Sequence, residues 1–144
     1  MRLMTQIDFY TLADEQEAAR LDFACRLIET IWRKGHQLYV FVDDDVAVAH
    51  LDELLWAFRA DSFVPHARLD SQVQAPIHVG CDEAGGTHHD VLVNLAAQIP
   101  ACFSRFERVT EIITADEQVL QNKREAWRFY RQRGYPLKHH DMRR

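Results

Sequence analysis

The stretch that decides the fold is "WRKGHQLYVFVDDDVAVAH", residues 32–50. Gly35 is a natural C-cap for the helix before it, because glycine takes a left-handed turn without a Cβ penalty. LYVFVD (38–43) is β-branched or aromatic and short, the composition of a strand. Three acids follow, and a second helix is expected over 45–58, with Val48, Leu51, Leu55 and Phe58 turned inward at 3-4 spacing. Helix, strand and helix in succession make half of a βαβ unit.

Working outward, the upstream helix spans 14–34, with Leu21, Ala24, Cys25, Ile28, Ile31 and Trp32 on one face. A strand, IDFYTL (7–12), precedes it. Downstream strands are expected at 76–80, 91–95 and 109–114. A weaker helix over 95–106 starts or kinks at Pro100. The clearest late helix, 117–133, is stopped by Gly134-Tyr135-Pro136. Alternating strands and helices predict an α/β fold with a mainly parallel sheet covered on both faces. The segment DEAGGTHHD (82–90) reads as a turn that could make 76–80 and 91–95 an antiparallel hairpin. One domain over 1–136 and a loose basic C-terminal tail over 137–144 are expected.

Composition narrows the function. The 144 residues are 47% hydrophobic and 27% charged, as in a soluble globular protein. No apolar run approaches a membrane span, and the opening MRLMTQIDFY has no signal-peptide core. Cys25, Cys81 and Cys102 are odd in number and widely spaced, which suits reduced thiols and a cytoplasmic location. The net charge of −5 is unevenly spread. Residues 123–144 carry eight Lys or Arg and two acids, and residues 1–122 carry nine and twenty. The body repels nucleic acid, while the basic end can hold a phosphate or an acidic peptide.

Catalytic and cofactor motifs are missing. No phosphate-binding loop follows any strand, and the acids of "LADEQEA" would repel a pyrophosphate. Cys81, Asp82, His88, His89 and Asp90 cluster in sequence, as do His139, His140 and Asp141, but without zinc-ligand spacing, so polar turns are the better reading. Asp43, Asp44 and Asp45 could hold Mg²⁺ beside a phosphate, but one of them capping the next helix is simpler. No cofactor, metal or catalytic residue is assigned. The late helix says more. Arg124, Trp127, Arg128 and Arg131 share one face, fit for single-stranded nucleic acid or for an acidic peptide with an apolar end. The same spacing also allows Trp127 to be buried and the arginines merely solvated.

The block "LDELLWAFRADSFVPHARL" (51–69), with "IDFYTL", "WRKGHQLYVFVDD" and "YRQRGYPL", resembles the chi subunit family of bacterial DNA polymerase III holoenzyme, in order and spacing over nearly the whole chain. That resemblance implies a three-layer α/β/α fold of Rossmann-like, P-loop-NTPase-like topology without a phosphate-binding loop. It implies a non-catalytic adaptor between the clamp-loader complex, reached through the psi subunit, and the acidic C-terminal tail of single-stranded DNA-binding protein. A helicase of the XPD-like class shares the psi-side surface in some bacteria. The resemblance assigns Trp56 and Phe63 to the psi or helicase contact. It assigns Ile113, Arg124, Trp127 and Arg128 to the tail, with Trp127 and Arg128 standing where the family pattern has Tyr and Lys. The loop 82–90 departs from the pattern, and no role is carried over there. Direct nucleic-acid binding is expected to be slight. The alternatives are a small metal- or nucleotide-dependent α/β enzyme and a direct single-stranded DNA-binding protein.

Overall fold

The structure, a computed structural model, describes residues 4–61 and 63–143. In chain order the elements are β1 (Gln6–Thr11), α1 (Glu17–Arg33), β2 (Leu38–Phe41), α2 (Asp45–Ala57), β3 (His66–Arg68), β4 (Ile77–Gly80), β5 (Val91–Asn94), β6 (Arg108–Ile113), α3 (Glu117–Gln132) and β7 (Leu137–Asp141). All strand pairs are parallel, in the order β3-β4-β2-β5-β6-β1-β7. No helix among the described residues is long and apolar enough to cross a membrane.

Strand alternation sends successive side chains to opposite faces, and both faces are covered. On one, Leu21, Ala24, Cys25 and Ile28 of α1 and Val48, Leu51 and Leu55 of α2 bury Leu38, Val40, Val79 and Val93. On the other, Ala126 and Tyr130 of α3 and Phe103 of a 3-10 turn (Ala101–Arg105) bury Ile7, Phe9, Tyr39, Phe41 and Leu92. The result is the expected three-layer α/β/α architecture. Asp44 caps α2 by accepting the Ala47 N–H at 2.9 Å, and Asp116 caps α3 by accepting the Val119 N–H at 3.1 Å.

Three expectations are corrected. First, β4 and β5 do not form a hairpin, because β2 lies between them and pairs with both in parallel. All four residues of each strand are buried, so each needs covered neighbours on both sides. The 81–90 segment crosses over the sheet instead, and the Tyr39 hydroxyl donates to the Asp82 carbonyl at 2.8 Å to hold it. Its glycine pair is steric in purpose. A Cβ on Gly86 would come within 2.8 Å of the Leu69 side chain, and Gly85 has φ +66. Second, the weak helix over 95–106 is only the turn Ala101–Arg105, beginning after Pro100. Third, residues 137–141 are not a loose tail. They form β7, which covers the outer edge of β1 and satisfies its backbone groups.

Candidate functional site

The two groups of residues assigned from the sequence lie at opposite ends of the sheet. At the β3 end, Val48, Leu51 and Leu55 take the inner face of α2, so Trp56 is carried onto the flank. The chain then returns to β3 through Phe63 and Val64. Val64 is buried and Phe58 half-buried, as core residues. Trp56 is 53% exposed and Phe63 62% exposed, with ring centroids 5.4 Å apart. They form one open apolar patch, of the kind that marks a protein contact.

The patch is held from beneath by His66, which no local pattern marks out beyond its place in the quoted block. Its side chain is fully buried, 4.6 Å from the Trp56 ring. Nδ1 lies 2.7 Å from the Val64 carbonyl oxygen, and Nε2 lies 3.2 Å from both the Asp52 carbonyl oxygen and Asp52 Oδ1. Helix and strand are thereby tied at the point where the aromatic pair stands.

At the β7 end, α3 lies over β6 and β1. Its inward stripe is Lys123, Ala126 and Tyr130. Lys123 Nζ donates to Glu111 Oε1 at 2.6 Å and to the Ala96 carbonyl at 3.0 Å. The Tyr130 hydroxyl donates to Glu111 Oε2 at 2.7 Å, and Asn94 Nδ2 donates to the same oxygen at 3.0 Å. Burial first, and Glu111 second, push the Tyr130 phenol far above its ordinary range. The sequence reading missed this network. Its signal is an acid inside the strand VTEIIT and a lysine at helical spacing from Ala126 and Tyr130.

With that stripe inward, Arg124, Arg128 and Arg131 are exposed and Trp127 is half-buried. Trp127 meets Phe9 of β1 edge-on at 5.0 Å. Cross-strand register sets Phe9 beside His139, and Thr11 between Ile113 and Asp141. Ile113 and Leu137 pack at the margin of the same cluster as Trp127. The arrangement is an apolar floor beside an arginine face, suited to a carboxylate-bearing ligand with an apolar group.

The nucleotide position of an α/β sheet is the crevice at its carboxyl ends. Here it is a cavity of about 590 Å³ lined by Glu15, Glu17, Asp43 and Asp116. Its two cations are engaged: Arg20 pairs with Glu17 at 2.6 Å, and Lys123 with Glu111 at 2.6 Å. The other sequence candidates are dispersed into local bonds. Asp43 accepts from the Ala97 N–H, Asp90 from the Gln37 N–H, and His88 donates to the Ala75 carbonyl. Cys81 Sγ lies 3.5 Å from Asp45 Oδ1. His139 bonds Thr11, His140 faces Asp8, and Asp141 pairs with Arg143. Among the described residues no three His, Cys, Asp or Glu side chains are grouped to hold one ion.

Comparison with known proteins identifies the family of the chain. The family described as "DNA polymerase III chi subunit, HolC" matches residues 4–138. A Pseudomonas aeruginosa protein named "DNA polymerase III subunit chi" is 39% identical over 96% of this chain and 98% of its own. Proteins of the same name from Haemophilus influenzae and Escherichia coli K12 are each 26% identical, over 90% and 93% of this chain and 92% and 96% of theirs. With that match running from β1 into β7, the chain belongs to the DNA polymerase III chi subunit family.

Proposed function

We propose that the chain is a non-catalytic, cytoplasmic adaptor of the replicative polymerase, joining a psi subunit to the acidic tail of single-stranded DNA-binding protein. The observation that carries the reading is the placement of the two surfaces. Trp56 and Phe63 stand beside β3, the first strand of the sheet, and the arginine face of α3 lies toward β7, the last. Six strand intervals separate those edges, roughly 29 Å. Two partners therefore fit on one chain at once.

The surfaces differ in the chemistry they offer. Trp56 and Phe63 supply the kind of aromatic anchor that dominates protein interfaces. An XPD-like helicase using the same patch would exclude psi. At the other end, Arg124 and Arg128 take carboxylates, and Trp127 and Ile113 take the apolar end residue. Such a small charged site implies affinity on the order of micromolar and sensitivity to salt. The acidic body leaves little direct affinity for DNA.

Sedimentation of the chain with psi and a tail peptide tests the adaptor directly. The expected result is a complex of all three components. Mutual exclusion of psi and the peptide would sink the two-surface reading.

A further inference from the structure

Strand β7 ends the sheet, and one side of its backbone is open. Ile7 N–H donates to the Pro136 carbonyl at 2.9 Å, and Met142 N–H donates to the Thr11 carbonyl at 2.9 Å. These bonds bracket the strand and set its alternation. The backbone groups of 138 and 140 turn toward β1, and those of 137, 139 and 141 turn away. No strand lies beyond β7, and no hydrogen bond to the outward groups is found among the described residues. His139 and Asp141 are exposed and Leu137 is half-buried, so the edge is not covered. An open edge of this kind is a template for another strand.

Charge selects what can pair there. Lys138 lies within the strand, Arg143 just past it, and Arg124, Arg128 and Arg131 on the neighbouring helix. The one acid in the strand, Asp141, is engaged by Arg143 at 2.9 Å, and that guanidinium holds its carboxyl well below the usual range. With Arg143 engaged by Asp141, Lys138 and the α3 arginines are the cations left near the edge, and two copies would bring them together, which opposes self-pairing. An acidic chain meets no such penalty. Odd-numbered side chains of β7 lie on the α3 side, since His139 is the register partner of Phe9, which carries Trp127.

We propose that the free edge of β7 takes an extended acidic peptide as an eighth strand, bonded to the backbone of Leu137, His139 and Asp141. This rests on the reading of α3 as the tail-binding face, and it adds the conformation and main-chain bonds of the bound peptide. Its specificity is for an extended acidic segment of about five residues, the length of β7.

The probe is a synthetic Asp-rich peptide with an apolar final residue and a free carboxylate, added to the full chain. Residue-resolved amide exchange should slow at Leu137, His139 and Asp141 on saturation. Of the backbone groups, His139→Pro removes only an outward N–H at an edge position that tolerates proline; it also loses the imidazole bond to Thr11, which His139→Ala loses equally, and it should weaken binding about tenfold. His139→Ala keeps that N–H and should stay within about threefold. Unprotected amides in a saturated protein overturn the strand, even where Arg128→Ala abolishes binding and so upholds the arginine site. Arg128→Ala binding like wild type overturns the arginine site instead. Equal protection by oligothymidine overturns the choice of a peptide. If His139→Pro does not fold, exchange in the unmodified chain decides. A peptide that does not bind at all overturns both.

Discussion

At the β3 end of the sheet two aromatic rings stand half in solvent over a buried imidazole; at the β7 end one aromatic ring is half sunk and lies beside three arginines. The first surface gains by removing apolar area from water. The second gains by charge-assisted hydrogen bonds in a chain that is acidic elsewhere. On the proposed reading, two partners of different chemistry are sorted this way without a moving part. The ends differ in support as well. His66 ties one through neighbouring backbone, and a buried carboxylate–ammonium–phenol network ties the other to the middle of the sheet.

The largest break in that contrast comes from the support beneath α3. Lys123→Met leaves the Glu111 carboxylate buried without its cation. It should cost about 3–5 kcal/mol of folding stability, read from urea unfolding. Lys123→Met with Glu111→Leu should recover much of the loss, because a buried ion pair is stabilising only relative to its broken half. A single variant as stable as wild type would show that the network carries no strain of charge.

Trp56→Ala should weaken psi binding by about 2–4 kcal/mol, near a hundredfold, and change tail-peptide affinity by less than about twofold, both by calorimetric titration. Arg128→Ala should do the reverse on a smaller scale, about tenfold on the peptide. Equal losses for both partners in both variants would erase the distinction between the ends. Raising salt from low to roughly 0.5 M should weaken the peptide several-fold and psi far less.

The smallest expected effect is on pH. His78 and His88 are buried, stacked at 4.5 Å, and hold the Val73 and Ala75 carbonyls. Burial lowers the His88 pKa below its ordinary 6.5, against the opposing hydrogen bond to Ala75. The unfolded chain therefore binds the proton first as pH falls. His88 contributes its stability in full above 6.5 and loses it on acidification through that value toward the lower folded one. The urea midpoint should fall from pH 7.5 to 5, and His88→Gln should flatten that slope. A slope unchanged in the variant would remove His88 from the account.

The contrast between the ends was unequally legible in the sequence. Trp56 and Phe63 were assigned through the family resemblance, and local pattern adds only that they crowd a helix end whose inner face is filled by Val48, Leu51 and Leu55. The arginine face of α3 follows from 3-4 spacing alone. His66 does not, since its role needs Asp52 and Val64 brought together by the return of the chain. Nor does β7: Leu-Lys-His-His-Asp has no β-branched residue, and it is a strand because β1 has backbone groups to satisfy. The three-residue β3 is similar, beside β4.

Local pattern by itself determined α1, α2 and α3, five of the seven strands among the described residues and the α/β class, because apolar periodicity and end signals act within a dozen residues. It also over-read the turn Ala101–Arg105 as a helix. Motif absence ruled out a phosphate loop for the same local reason. Strand order, the parallel pairing of β4 and β5 around β2, the Glu111–Lys123–Tyr130 network and the docking of β7 were decided only in the tertiary structure. Each satisfies a buried polar or backbone group with a partner distant in sequence, and no local pattern encodes where that partner will be.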